Sequence, residues 1–285
     1  MTTLTLLLRS LVFAAGSVVA SSLTPGSAAP GVSGQVSFAG SAAYLGVTLG
    51  EPDPPVNLTL QPFVDLGFAR FDAQRELRQG APEAVLAEGK TPAQVCAIVA
   101  TALEAGVASV LVTRTSPDVR AALVAEIAGV EEHERARCSW VVNRPAERYG
   151  RIAMVSAGTS DGSVLHEARI RAELIGCEVA CYEDVGVAGL HRLTAAIPAI
   201  AAADCVVVAA GMDGALASVV GGLAAVPVIG LPTSVGYGCA DAGRTALNAM
   251  LSSCAAGLAV VGIDDGFGAG TIAAMIARSA ARAAR

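Results

Sequence analysis

The second half of the chain carries five strongly apolar runs, at residues 152–156, 178–182, 205–210, 227–231 and 258–263, separated by stretches of helical character. Short apolar runs alternating with helical stretches predict parallel strands joined by right-handed crossovers. Because the runs are mostly apolar, helices must cover both faces of the sheet. The pattern therefore predicts an α/β fold, a three-layer doubly wound parallel sheet over residues 146–285. Upstream, Thr91-Pro92 opens an amphipathic helix over 93–104, proline being tolerated at a first helical position. A strand over 107–113 and a helix over 117–127 follow. These make a small amino-terminal α/β domain over 63–145, with residues 143–151 linking it to the sheet.

The first residues depart from this rhythm. Residues 6–20 are apolar, carry Arg9 near their start and end on Val18-Val19-Ala20, which resembles a short signal peptide. The run is too short and glycine-broken to span a membrane. Residues 24–62, rich in Gly, Pro, Ser and Ala, read as linker, so 1–62 are expected to form a disordered extension. Export is disfavoured by the cysteines: seven, an odd set without disulfide-framework spacing and without a CxxC or HExxH signature, fit reduced thiols in a cytoplasmic protein. A net charge of −6 leaves no basic patch for nucleic acid, so the expected partner is a small molecule. With 31 glycines and few aromatics, close helix-on-sheet packing is favoured over stacking.

In open α/β sheets ligands bind beyond the carboxyl ends of the strands, where the strand order reverses. The first such loop holds Ser156, Gly158, Thr159, Ser160 and Asp161, and its amides and hydroxyls can cradle a phosphate at a helix start. An ordinary helix cap would use the same residues. The second holds Gly186 and Gly189 and leads into His191-Arg192, a pair able to take phosphate or carboxylate. The third, Gly211-Met212-Asp213-Gly214, sets a carboxylate over a strand end. The fourth carries Ser234, Tyr237 and Gly238. Gly158–Gly162 also matches a GxSxG nucleophile elbow, with Asp184 and His191 following in hydrolase order. That histidine, however, falls well before the last strands. Cys254 closes a helix ahead of the last strand, where its thiol is either tuned towards thiolate or a small buried hydrophobe, and a glycine-rich turn at 266–270 then launches the last helix.

Read together, SAGTSDGSVLHEA, DVGVAGLHRL, AAGMDGALASVVGGL, PTSVGYG, LSSCAAG and IDDGFGAG, in this order, resemble the LarB family, the pyridinium-3,5-biscarboxylic acid mononucleotide synthases of nickel-pincer cofactor biosynthesis. The upstream DLGFARFDAQRELRQGAPEAVLAEGKTP resembles that family's amino-terminal signature, so the likeness runs from Asp65 onward. It implies a PurE/flavodoxin-like carboxylase domain assembled as a homo-octamer. It also implies nicotinic acid adenine dinucleotide and CO2 as substrates, with release of AMP, and no membrane or nucleic-acid partner. The family's nucleophile falls on Cys254, its acidic residue on Asp213, its substrate loop on Ser156 to Asp161 and its His-Arg pair on His191 and Arg192.

Thiolate addition explains why such a reaction needs a cysteine. A pyridinium ring is electron-poor, but a thiolate added to one ring carbon breaks aromaticity and makes a neighbouring carbon nucleophilic towards CO2. A base must then remove the ring proton, a role that falls to Asp213, with His191 as a further catalytic candidate. The diphosphate calls for cations such as Arg192 or Arg75, and for magnesium. No protein-held metal site is expected. Asp213 stands where the family usually has Glu, one methylene longer, and a misplacement of about 1 Å can cost on the order of a hundredfold in rate. His166 is a second departure, expected as a half-exposed helix residue. A PurE-type aminoimidazole ribonucleotide carboxylase or mutase, a serine hydrolase and a non-catalytic nucleotide-binding protein stay open as alternatives.

Overall fold

The computed structural model describes residues 32–39, 42–49 and 63–283. The chain divides into one unit ending at Pro62 and another from Phe63 onward. In the first, β1 (Val32–Ala39) and β2 (Ala42–Leu49) pair antiparallel, within the stretch read as linker. Val32, Gly34, Val36 and Phe38 alternate with Ser33, Gln35 and Ser37, a strand period that the surrounding Gly and Pro obscure. The apolar run at 6–20 lies outside the described residues.

The second unit begins with a short hairpin, β3 (Phe63–Asp65) and β4 (Arg70–Asp72), then α1 (Arg75–Gln79) and β5 (Ala84–Leu86). Helix α2 (Pro92–Glu104) starts as expected. The Thr91 side chain accepts from the Gln94 amide while Gln94 accepts from the Thr91 amide, and together they satisfy two otherwise orphaned donors. After β6 (Ser109–Thr113) and α3 (Pro117–Glu126) come β7 (Glu131–His133) and β8 (Cys138–Val142). The sheet order is β5-β6-β8-β7, parallel only between β5 and β6. One face packs on α2 and α3 through Val95, Val99, Val110, Val112 and Leu123. On the other, Leu111 and Cys138 share a core with Ile170 and Phe267 from the residues that follow.

Those residues build β9 (Arg151–Ser156), α4 (Gly162–Ile175), β10 (Glu178–Tyr182), α5 (Leu190–Ile200), β11 (Cys205–Ala210), α6 (Ala215–Leu223), β12 (Val228–Pro232), α7 (Arg244–Leu251), β13 (Leu258–Val260) and α8 (Gly266–Ala283). The strands are all parallel, in the order β10-β9-β11-β12-β13. Their side chains alternate between two helical layers. Ile152, Met154 and Val207 join Leu165, Ala168 and Ala273 on one face, while Ala153, Val155 and Val206 join Leu193, Leu216 and Met250 on the other. Burying an aliphatic side chain on either face contributes about 1.5–3 kcal/mol. The fold is thus the three-layer α/β sheet that the apolar runs imply, of the PurE/flavodoxin type that the family resemblance implies.

Two boundaries differ from the sequence reading. The last regular strand ends at Val260; beyond it only the Val261 and Asp264 amides still donate to β12, at Gly230 and Pro232, with Asp264 left-handed (φ 57°) ahead of α8. The glycines of 266–270 form no separate turn and instead open α8 itself. The reason lies in packing: a Cβ at Gly270 would come within 2.3 Å of the Ala168 carbonyl oxygen, so α4 and α8 meet backbone against backbone.

Candidate active site

Strand order reverses between β9 and β11, and the loops leaving these two strands lie side by side. One buried carboxylate joins them. Asp161, 4% exposed, accepts from the Gly158 amide (2.8 Å) through Oδ2, and from the Gly211 amide (3.0 Å) and Thr233 hydroxyl (2.6 Å) through Oδ1. Its oxygens thus hold three loops together, which makes Asp161 a positioning residue. Thr159 and Ser160 form an exposed 3-10 turn with Asp161 ahead of α4, where the first amides of a helix lack partners along the chain. Ser156, fully buried, accepts from the Asp184 amide through Oγ and from the Val185 amide through its carbonyl, tying in the loop after β10. Gly211 has to be glycine: a Cβ there would come within 2.1 Å of the Val235 carbonyl.

The loop after β10 buries Gly186 and Gly189 and leaves His191 exposed. Arg192 Nη1 pairs with Asp184 Oδ2 at 2.7 Å. This argues against the hydrolase reading: the acid serves the arginine, and among the described residues Ser160 and His191 share no hydrogen bond. Asp213 is exposed and accepts from the Ala215 amide, between Met212 and Gly214, which both have positive φ (52° and 65°). A left-handed methionine costs energy, and such strain gathers at functional sites. In the fourth loop the Ser234 amide donates to Asp264 Oδ1, while Tyr237 is 81% exposed beside Gly238.

Cys254 stands elsewhere. It follows α7 and precedes β13, at the amino edge of the sheet, where the Gly257 carbonyl accepts from Val228 at the start of β12. Its neighbour Ser253 reaches Ser218, in the first turn of α6 and five residues beyond Asp213. Its loop is braced by the Ser253–Ser218 hydroxyl pair (2.8 Å), and its thiol is exposed. Burial pushes the Cys138 and Cys205 thiols up to about 12 and Cys177 to about 11, which removes them as nucleophiles at neutral pH. Arg75 is also remote. It bonds to Gln79 and pairs with Glu83, and Gly80 at the end of its helix accepts from Arg278, twelve residues or ~18 Å along α8 from its start. Among the described residues no three His, Cys, Asp or Glu side chains gather to hold a metal. No helix there is long and apolar enough to cross a membrane.

Residues 63–143 match the LarB/PurE-like N-terminal domain. An uncharacterized protein of Methanocaldococcus jannaschii, MJ0165, is 36% identical over 218 residues, covering 73% of this chain and 84% of the relative. The chain belongs to the LarB family. A LarB/PurE-like chain has a carboxylase-related function.

In this LarB-family chain the amino-terminal domain reaches the loops at the carboxyl ends of the strands, which the sequence reading missed. Arg135, in the β7–β8 turn, donates to the Thr159 carbonyl and to Glu183 Oε2 (3.3 Å). Arg114 Nη2 donates to the Asp264 carbonyl at 2.9 Å, and Arg137 to the Arg114 carbonyl. Arg114 and Arg137 both adopt positive φ. The turn between Glu134 and Cys138 carries no motif to reveal this, since its basic residues look like solvated surface. His166 is less exposed than expected, its side chain at 12%, with Nε2 3.1 Å from Glu183 and its ring against His133. Burial holds it below the usual imidazole range and outweighs the pull of Glu183. Glu167, buried beside the start of α8, is raised from 4.5 to about 7, first by desolvation and then by Asp265 and Asp264, against the opposing pull of Arg114.

Proposed function

We propose that the protein carboxylates the pyridinium ring of nicotinic acid adenine dinucleotide with CO2 and hydrolyses its phosphoanhydride. The products are pyridinium-3,5-biscarboxylic acid mononucleotide and AMP. The observation that carries this reading is the exposed Cys254 thiol in a LarB-family chain, because a purine carboxylase of the PurE type needs no thiol nucleophile. Cys254 adds as thiolate to the pyridinium ring, the resulting enamine carbon attacks CO2, Asp213 takes the ring proton, and thiolate departure restores aromaticity. The carboxyl-edge loops bind the nucleotide, with Arg192 at its phosphates and Thr159 and Ser160 presenting helix-start amides.

Cys254 precedes β13 whereas Asp213 follows β11, and in this reading the site draws its thiol from one protomer and its loops from another, in a homo-octamer. Leu223 and Leu251, exposed by 55% and 64% at the ends of the two helices nearest Cys254, support docking of a second copy there. Among the described residues none gather into a metal cage. Magnesium would arrive with the diphosphate, keeping its waters and one or two carboxylates, and the proton and thiolate steps proceed on the chain's own residues.

Mass spectrometry of the protein with nicotinic acid adenine dinucleotide, bicarbonate and magnesium tests the reading. It predicts the dicarboxylated mononucleotide and AMP, with a loss of at least about a thousandfold in Cys254→Ala. Turnover of aminoimidazole ribonucleotide, unaffected by Cys254→Ala, would replace it with the purine carboxylase.

A further inference from the structure

Two guanidinium groups from different domains are held at the end of β10. Consecutive residues at the end of β10 hold them: Glu183 pairs with Arg135 of the amino-terminal domain and Asp184 with Arg192 of α5. Arg135 lies directly over the first turn of α4. A Cβ on Gly162 would fall 2.1 Å from its Nη2 and 2.6 Å from its Cζ, so any side chain there would push the guanidinium aside. The helix start is the positive end of the helix dipole, an unfavourable place for a cation unless an anion is shared between them. In this structure Glu183 is that anion. Its carboxylate serves Arg135 through Oε2 and His166 through Oε1, and its side chain is 31% exposed. His166 is held in turn by Arg169 Nε on its Nδ1, with His133 of the amino-terminal domain against its ring. The Arg135 side chain is itself 44% exposed, so a ligand can reach it.

We propose that Arg135 is a substrate-binding residue, and that the amino-terminal domain supplies half of the anion site: Arg135 over the first turn of α4 and Arg192 beside Asp184 grip the two phosphates of a diphosphate. Glu183 holds Arg135 in place until the ligand's phosphate takes up its free donors. The identity of the nucleotide rests on the function proposed above, whereas the diphosphate site rests on the arginine geometry.

Isothermal titration calorimetry of the full chain with inorganic pyrophosphate, and separately with nicotinic acid adenine dinucleotide, tests this. Arg135→Gln is expected to weaken both ligands about tenfold or more, the loss of one charge-assisted pair. Arg135→Lys should recover part of the loss, and Glu183→Gln, which frees the arginine, should bind both ligands as tightly as the parent or tighter. Equal pyrophosphate affinity in the parent and Arg135→Gln, or no pyrophosphate binding at all, would overturn the proposal. So would a loss in Glu183→Gln as large as that in Arg135→Gln, since the pair would then be only a brace between domains. Pyrophosphate binding that depends on Arg135, with no binding of the dinucleotide, would keep the anion site and overturn the function proposed above.

Discussion

At the carboxyl edge of the parallel sheet the buried Asp161 ties together loops from three strands, whereas at the amino edge Cys254 stands exposed on a short loop braced by the Ser253–Ser218 hydroxyls. The first edge is organised from within. Its amides, its arginine pairs and the strained Met212 are fixed by hydrogen bonds and by close backbone approach. The second presents a thiol beside exposed leucines. Preorganised polar groups serve binding and charge stabilisation, which demand fixed geometry; a thiol offered on an open apolar surface fits a site completed by a neighbour. In the proposed reaction the first edge binds the nucleotide and the second supplies the thiol.

The strongest way to break the organised edge is to remove its central acid. Asp161→Ala leaves the Gly211 amide and Thr233 hydroxyl buried without their acceptor, with an expected cost of about 4 kcal/mol in urea denaturation. A cost below about 1 kcal/mol would show that the loops hold their places without it.

A somewhat smaller effect sharpens the same edge. Glu167 keeps its proton up to about pH 7 in the folded chain but loses it near 4.5 when unfolded, so the native state binds more protons between these values. Stability is therefore lost as pH rises through that window, by about 3 kcal/mol at 1.36 kcal/mol per unit. Relative to the parent, Glu167→Gln should gain that amount between pH 4 and pH 8 in chemical denaturation. Parallel stability profiles for the two proteins would contradict the burial of an acid at this junction.

The parallel sheet was legible because its strands are buried on both faces and carry uninterrupted apolar runs such as 205–210, and the helix at Thr91-Pro92 was legible from its cap. The carboxyl-edge loops were legible as well, since Ser, Gly and Asp at strand ends have a local meaning. Three features were not. The strands β5, β7 and β8 are short or carry polar residues such as Glu131 and Ser139, and so lack a clear period. The reach of Arg135 to Thr159 depends on the docking of one domain on another, which no local pattern encodes. The glycines at 266–270 read as a turn because their role, letting α8 approach α4, is tertiary.

The central claim is that thiol and carboxyl-edge loops from different copies form one site, and mixing inactive variants tests it most directly. Cys254→Ala and Asp213→Asn, each inactive alone, are unfolded together in equal amounts, refolded and assayed for the dicarboxylated product. If each site takes Cys254 from one copy and Asp213 from another, random assembly restores roughly a quarter of the parent activity. No recovery from a mixture shown to contain mixed oligomers would contradict the shared site, and full activity of Asp213→Asn alone would contradict the role of that carboxylate as the base.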